Sequence, residues 1–323
     1  MTFLIRAALA LLPLLLATGG ADAQGWPSKP IRFIVTQAAG GTPDIICRMI
    51  GDRLSRALGQ QVVVENRPGA ANTIGTQAAA RAAPDGYTFL FATAASLVTN
   101  PYTFKSLPYD PAADFVAVGM VAKGPFIVLA HPSVPAKTLA ELYAHDKANP
   151  GKLTFATDGP KNFSGIIAAW LNKLGGADIL QVPYATMPQG VQDTLAGRVQ
   201  LTVLAVPSAA PHIASGALRP LAVTSFRRLS NYPEVPPISE TFAGVEVIGW
   251  FIIAAPAGTP AEVVGRMNRE LDQILKDPEI AGKLATVGFF TEGAETPEAT
   301  RAFVKAQFDL WGKVAHDIGL QPE

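Results

Sequence analysis

The chain has 323 residues, of which 49% are hydrophobic and 16% charged, and its 26 lysines and arginines balance 26 aspartates and glutamates. That balance speaks against the basic excess of a nucleic-acid binder and leaves Arg227-Arg228 as a solvated loop pair. The single cysteine, Cys47, excludes an intramolecular disulfide, and a chain of more than about 250 residues usually divides into two domains with ample buried surface.

The first segment reads as an export signal. Arg6 precedes the apolar run AALALLPLLLA, and Ala21-Asp22-Ala23 forms a small-x-small site, so residues 1–23 are expected to be a signal peptide and Gln24 to open the mature chain. The apolar run is shorter than the roughly 20 residues of a spanning helix. Nothing comparable follows, so no membrane insertion of the mature chain is expected, and Cys47 lies too far in to be a lipid anchor.

The strand-like run IRFIV leads into QAAGGTPDIICRMI, Gln37 to Ile50. Thr42 suits an N-cap, Pro43 the first helical position, and Asp44 the first turn, where negative charge is favoured. Gly40 and Gly41 permit a tight turn. Such a junction leaves N–H groups aimed at one spot, a common anion-holding device; the alternative is a plain strand-to-helix connection.

Further strands are expected at QQVVVENR, GYTFLFAT, FVAVGMVA, FIVLAH, KLTFAT, ILQVPY, VQLTVLAV, LRPLAVTS and VIGWFIIAAP, rich in β-branched and aromatic residues and bounded by Gly, Pro or Asp. Capping boxes at Thr138/Glu141 and Thr259/Glu262, with Pro260 and Pro297 at first helical positions, mark helices between and after them. The last helix, from Pro297 to Gly319, places Phe303, Val304, Phe308, Trp311 and Ile318 on one face. Alternation of this kind predicts an α/β protein. The long apolar segments Val118–His131 and Val245–Pro256 predict two crossings between two lobes, each a central β-sheet flanked by helices: residues 24–125 with 246–323, and residues 126–245. A cleft with a two-strand hinge follows, the usual place for a small ligand.

The strand-turn-helix junction recurs at Thr93, Ala94 and Ser96, at Thr157 to Ser164, and at Tyr184 to Pro188. If strand C-terminal ends line the cleft, all four junctions converge on it. One helix start contributes at most about 2 kcal/mol to holding an anion, whereas micromolar binding needs about 8 kcal/mol. A two-sided site is therefore expected, and the anion reading of the first junction gains over the plain one.

In order and spacing, WPSKPIRFIV, GGTPD, VVVENRPGA, APDGYTFL, LPYDPAADF, VPYA, PSAAPHIASGALRPLAVTS, VPPISE, WFIIAAPAGTP and WGKVAHDIG resemble the tripartite tricarboxylate transporter receptors, the Bug family of periplasmic solute-binding proteins. The resemblance covers essentially the whole mature chain. It implies a two-lobed, Venus-flytrap receptor that closes on a small carboxylate held by loop backbone groups and waters, with no cofactor and no metal. Carried over, one anion loop falls on Gln37, Ala38, Gly40, Gly41 and Thr42 with Asp44 in support, and the other on Thr157, Asp158, Gly159, Lys161 and Asn162. Where many relatives have Pro-Phe, this chain has Thr36-Gln37, and Lys161-Asn162-Phe163 replaces a Gly-Thr-Ser-like run. Leu204 and Ala205, followed by Val206, stand where relatives often carry Asp-Asn, and the missing acid argues against a ligand ammonium. Lys161 and Phe163 either meet a second carboxylate and an aromatic ring or stay a surface charge and a packed helix start. The expected ligand is a carboxylic acid with a fairly apolar body, aromatic or dicarboxylic acids included.

An exported α/β hydrolase is the rival class, but G-x-S-x-G, H-E-x-x-H and Walker patterns are absent. His131, His145, His212 and His316 are scattered, His212 in an expected turn after Pro211, so neither a catalytic nor a metal site is expected. The expected partner is a set of membrane transporter subunits; a membrane sensor kinase reading the loaded receptor is the alternative, and the chain is expected to be monomeric.

Overall fold

The computed structural model describes residues 25–160, 163–229 and 231–322. The expected signal peptide and the new terminus at Gln24 lie outside the described residues, as do Lys161 and Asn162.

In chain order the elements are β1 (Ile31–Val35), α1 (Thr42–Leu58), β2 (Val62–Asn66), α2 (Thr73–Ala80), β3 (Thr88–Thr93), α3 (Asn100–Thr103) and β4 (Phe115–Ala130). There follow α4 (Leu139–Ala148), β5 (Thr154–Thr157), α5 (Phe163–Gly175), β6 (Leu180–Pro183), α6 (Met187–Leu195), β7 (Leu201–Ala205), α7 (Val206–Ala214) and β8 (Arg219–Val223). The chain closes with β9 (Ile248–Pro256), α8 (Ala261–Leu275), α9 (Pro278–Thr286) and α10 (Pro297–Asp317).

The strands lie in the order β2-β1-β3-β9-β4-β7-β5-β6, with β8 also on β4. FVAVGMVA and FIVLAH, read as two strands, form one 16-residue strand. From Phe115 to Pro125 β4 pairs with β9; from Phe126 to Ala130 it pairs with β7, and from Ile127 to Ala130 with β8. The other expected crossing is not a continuous strand. β9 begins only at Ile248; ahead of it the Val247 N–H donates to the Thr224 carbonyl at 2.8 Å and the Glu246 carboxylate accepts the Phe226 N–H at 2.9 Å.

Side chains alternate between the sheet faces, as strand geometry requires. On one face a shared core runs through both halves, from Ile34, Leu90 and Trp250 to Phe155 and Trp170, and α10 adds Trp311. Phe163 joins it, with its ring centroid 4.7 Å from Phe126 and 5.5 Å from Trp311. On the other face the cores are separate: one holds Phe33, Cys47, Phe91, Phe251 and Met267, the other Ile127, Leu204, Leu218 and Val235. Between these, Gly288 lies so close to Pro207 that a β-carbon on it would come within 2.2 Å of the proline Cδ.

Several helix starts depart from their sequence reading. Thr42 is the first residue of α1 and Gly41 its N-cap, without a side-chain cap. Asp44 takes over that work by accepting the Gly40 N–H at 2.8 Å and pairing with Arg48 at 2.9 Å. Thr259 is not a cap either: its hydroxyl donates to the Pro256 carbonyl at 2.7 Å, and Pro260 is the N-cap of α8. Thr138 does cap α4, accepting the Glu141 N–H at 3.2 Å, while Glu141 reaches back to the Lys137 N–H at 2.7 Å. Val206, read as strand, opens α7, and that helix includes Pro211 and His212, read as a turn. On α10 the buried line is Thr300, Gln307, Trp311 and Val314, and Phe308 is 37% exposed.

Burial by itself would raise the Asp44 carboxyl, but hydrogen bonds from Arg48, Gly40 and Asn66 outweigh it and hold the group below the usual carboxylate range. A carboxyl depressed in the folded state stabilises above its unfolded pKa, and that contribution is lost as pH falls through the folded value. Asp44→Ala is therefore expected to cost roughly 1–2 kcal/mol at pH 7, with the gap to the parent shrinking below about pH 4, as urea unfolding at several pH values will read. Gly288→Ala, at φ 74° and against Pro207, is expected to cost roughly 1–3 kcal/mol in the same assay.

Candidate functional site

Register fixes where the junctions fall. Val35 lies opposite Asn66 and Phe91, and Thr93 opposite Phe251, which in turn pairs with Ala122 of β4. The C-terminal end of β3 therefore reaches the level of Ala122, just before β4 enters the second half, while those of β1 and β2 lie level with Gly119, so that the loops after them run on toward the crossing. From the other side, Ala205 pairs with Phe126, Thr157 with Pro183, and β5 runs parallel to β7. The C-terminal ends of β5, β6, β7 and β8 thus face the same crossing, and α1, α5, α6 and α7 all start there. Both sets of strand ends meet at one place, as open α/β sheets require of a ligand crevice.

The loop after β1 is braced from beneath. The Gln37 carbonyl accepts from Asn66 Nδ2 at 3.0 Å, and the Asn66 Oδ1 accepts from Arg48 at 3.0 Å, which leads on to Asp44 and Gly40. This ring consumes the Gly40 N–H, so that group is not open to a ligand, against the sequence reading. The Gly41 N–H closes a turn on Ala38 at 3.3 Å. Ala38, Gly40 and Thr42 form the exposed crest, and the N–H groups of Thr42 and Asp44 have no acceptor among the described residues. Thr36 beside the crest is 1% exposed and its hydroxyl has no partner among the described residues.

At the second junction, Thr93 and Ser96 hydroxyls lie 3.3 Å apart and the Ser96 N–H reaches Thr93 Oγ1 at 3.4 Å. Thr93, Ala94 and Ser96 are buried, and the Ser96 carbonyl accepts from the Tyr109 hydroxyl at 2.8 Å. The junction is largely satisfied internally.

In the second half, Thr157 is fully buried and its hydroxyl has no partner among the described residues, while its carbonyl accepts the Tyr184 N–H at 2.8 Å. The Asp158 N–H donates to Ser164 Oγ at 2.9 Å. Gly159, at φ 117°, sets its carbonyl against Gly165, where a β-carbon would come within 2.0 Å, so the loop clasps the start of α5. Phe163 has both ring neighbours in the shared core, Phe126 and Trp311, which is the packed alternative of the two sequence readings. Tyr184 donates its hydroxyl to Asp193 at 2.8 Å, and Ala205 is the half-buried N-cap of α7. Near the crossing, burial pushes the Glu246 carboxyl above its ordinary range, the Phe226 N–H and Lys123 opposing that only in part.

One loop at this edge went unread in the sequence. Gly69, Ala70, Ala71 and Asn72 all have positive φ, at 124°, 46°, 48° and 74°, between β2 and α2. Three non-glycine residues in the left-handed region store strain of the kind concentrated at functional sites. Asn100 Nδ2 holds the Ala71 carbonyl at 2.9 Å. Gly69 is legible as a turn signal, but nothing in Ala70-Ala71 announces such backbone. The histidines stay structural: His131 Nδ1 lies 2.7 Å from the Ser133 hydroxyl in the turn after β4, and His145, His212 and His316 ride on helices.

Comparison with known proteins places this geometry. The model of the tripartite tricarboxylate transporter family receptor matches residues 46–320. A UPF0065 protein of Bordetella bronchiseptica is 38% identical over 317 residues, covering 97% of this chain and 93% of that protein. Among solved structures, R. palustris Rpa4515 with adipate is similar at TM-score 0.79 and 31% identity, over 92% of this chain and 100% of that one. The periplasmic binding protein BugD follows at 0.76 and 32%, over 92% and 100%. MatC from Rhodopseudomonas palustris with bound malate gives 0.74 and 26%, over 90% and 100%. Sharing their two-lobed α/β architecture and matched along most of its length, this chain belongs to the tripartite tricarboxylate transporter receptors, a family of periplasmic solute-binding proteins and not of enzymes.

Proposed function

We propose that this protein captures a small carboxylate between its two lobes, residues 24–125 with 246–323 and residues 126–245, and delivers it in the periplasm to the membrane subunits of a tripartite transporter. The observation that carries this reading is the pair of buried, unpartnered threonine hydroxyls at facing strand ends, Thr36 and Thr157. An unsatisfied buried hydroxyl costs about 1–3 kcal/mol, a cost that a bound anion removes. The open N–H groups of Thr42 and Asp44 at the start of α1 add donors and a favourable helix dipole. Adipate in Rpa4515 and malate in MatC support a carboxylate in this chain too.

The lining also favours a class of acid. At the end of β7, half-buried Ala205 offers no acid to meet an ammonium group, and its neighbours Leu204 and Val206 are turned into the apolar core. A dicarboxylate, or an acid with an apolar body, fits better than an amino acid.

Two measurements test the reading. Calorimetric titration with adipate, malate, benzoate and glutamate is expected to show saturable binding of at least one acid that lacks an ammonium group; glutamate alone binding would sink the ligand class. Thr157→Val is nearly isosteric, so thermal unfolding of the ligand-free variant is expected at or slightly above the parent temperature. Its carboxylate affinity is expected to fall roughly tenfold or more, as loss of one charge-assisted hydrogen bond of about 1.5–3 kcal/mol implies. Unchanged affinity would remove Thr157 from the site.

A further inference from the structure

A second hollow, of about 800 Å³, opens away from the crossing. Its floor is Ala117 of β4 with Ile252 and Ala254 of β9, and its walls are the chain between α3 and β4 and one side of α10. Short alanine side chains on the floor leave depth there. The rings of Phe104, Phe115 and Phe308 line the walls, and Phe308 is among the few large apolar side chains that remain exposed. Ligand pockets of this kind, about 300–1,000 Å³ and apolar with a few polar groups, bury most of a small molecule.

The charges around it do not cancel. Lys105, Arg301 and Lys305 stand against Asp110 and Asp309. Lys305 is paired with Asp309 at 2.7 Å. Asp110 is committed to its own loop, accepting the N–H groups of Ala112 at 2.8 Å and Ala113 at 3.0 Å. Lys105 and Arg301 are left without an acidic partner among the described residues. An apolar trough with two free cations on its rim is complementary to a molecule with an apolar body and one anionic head.

We propose that this hollow is a second small-molecule site, distinct from the inter-lobe cleft, which takes an amphipathic carboxylate with its chain among Phe104, Phe115 and Phe308 and its head group toward Lys105 and Arg301. The proposal does not depend on the identity of the cleft ligand. Because Lys105 and Arg301 are exposed, reversing their charge leaves the core untouched.

The probe is a decanoic acid carrying a diazirine, photolysed with the full chain and mapped by peptide mass spectrometry, with the matching diazirine decanol as a neutral control. Decanoate is expected to label peptides 104–117 and 301–308, and the double variant Lys105→Glu, Arg301→Glu is expected to cut that labelling at least fivefold while decanol labelling stays within twofold. Labelling confined to peptides 36–44 and 157–163, labelling no different from a denatured control, or equal decanoate labelling of parent and double variant would each overturn the proposal.

Discussion

The structure depends on a single strand being shared. β4 spends its first eleven residues on the sheet of one half and its last five on the sheet of the other, so the two registers cannot be set independently. A one-residue slip would turn every side chain of the strand to the wrong face. Irregularities between Ala117 and Gly119, Met120 and Ala122, and Val128 and Leu129 add local twist and curl the sheet as it passes from half to half. At the crossing, Gly124 and Pro125 lie opposite Gly249 and Ile248. Gly124 has no room for a side chain, since a β-carbon there would come within 2.6 Å of the Phe289 ring. With parallel strands on both sides arriving at this point, the junction loops have nowhere to go but toward one another.

The two faces of the sheet are unequal. One is sealed across the crossing by α10 and α5, through Phe126, Phe163 and Trp311. The other has two separate cores and a touch between Gly288 and Pro207. Disturbing large buried rings costs several kcal/mol, whereas parting two surfaces that share few side chains costs far less. Relative movement of the lobes therefore has its soft side where the cores are separate, while the aromatic seam keeps the other side together. A receptor that must open and shut without unfolding needs this difference in stiffness.

The alternation of strands and helices was legible in the sequence because β-branched runs, glycine turns and proline starts each act locally. The braced loop after β1 was only half legible. Its glycines and Asp44 announced a tight helix start, but the true support is Arg48 and Asn66, the latter on the neighbouring strand β2, and pairing between strands does not show in one segment. Thr42 and Thr259 have the right neighbours for caps, yet Gly41 holds the cap position of α1 and the Pro256 carbonyl claims the Thr259 hydroxyl. The orphan state of the Thr36 and Thr157 hydroxyls cannot be read from sequence at all, since it depends on everything packed around them. The hollow under α10 is likewise a product of three distant segments.

Cys47 carries a practical consequence. It is wholly buried on α1, and burial drives its thiol well above the ordinary range, so that it stays protonated and unreactive. A chain whose native sulfhydryl is silent is a ready host for spectroscopic labels: one new cysteine on each lobe can be modified selectively, with no background substitution, to follow the separation of the lobes in solution.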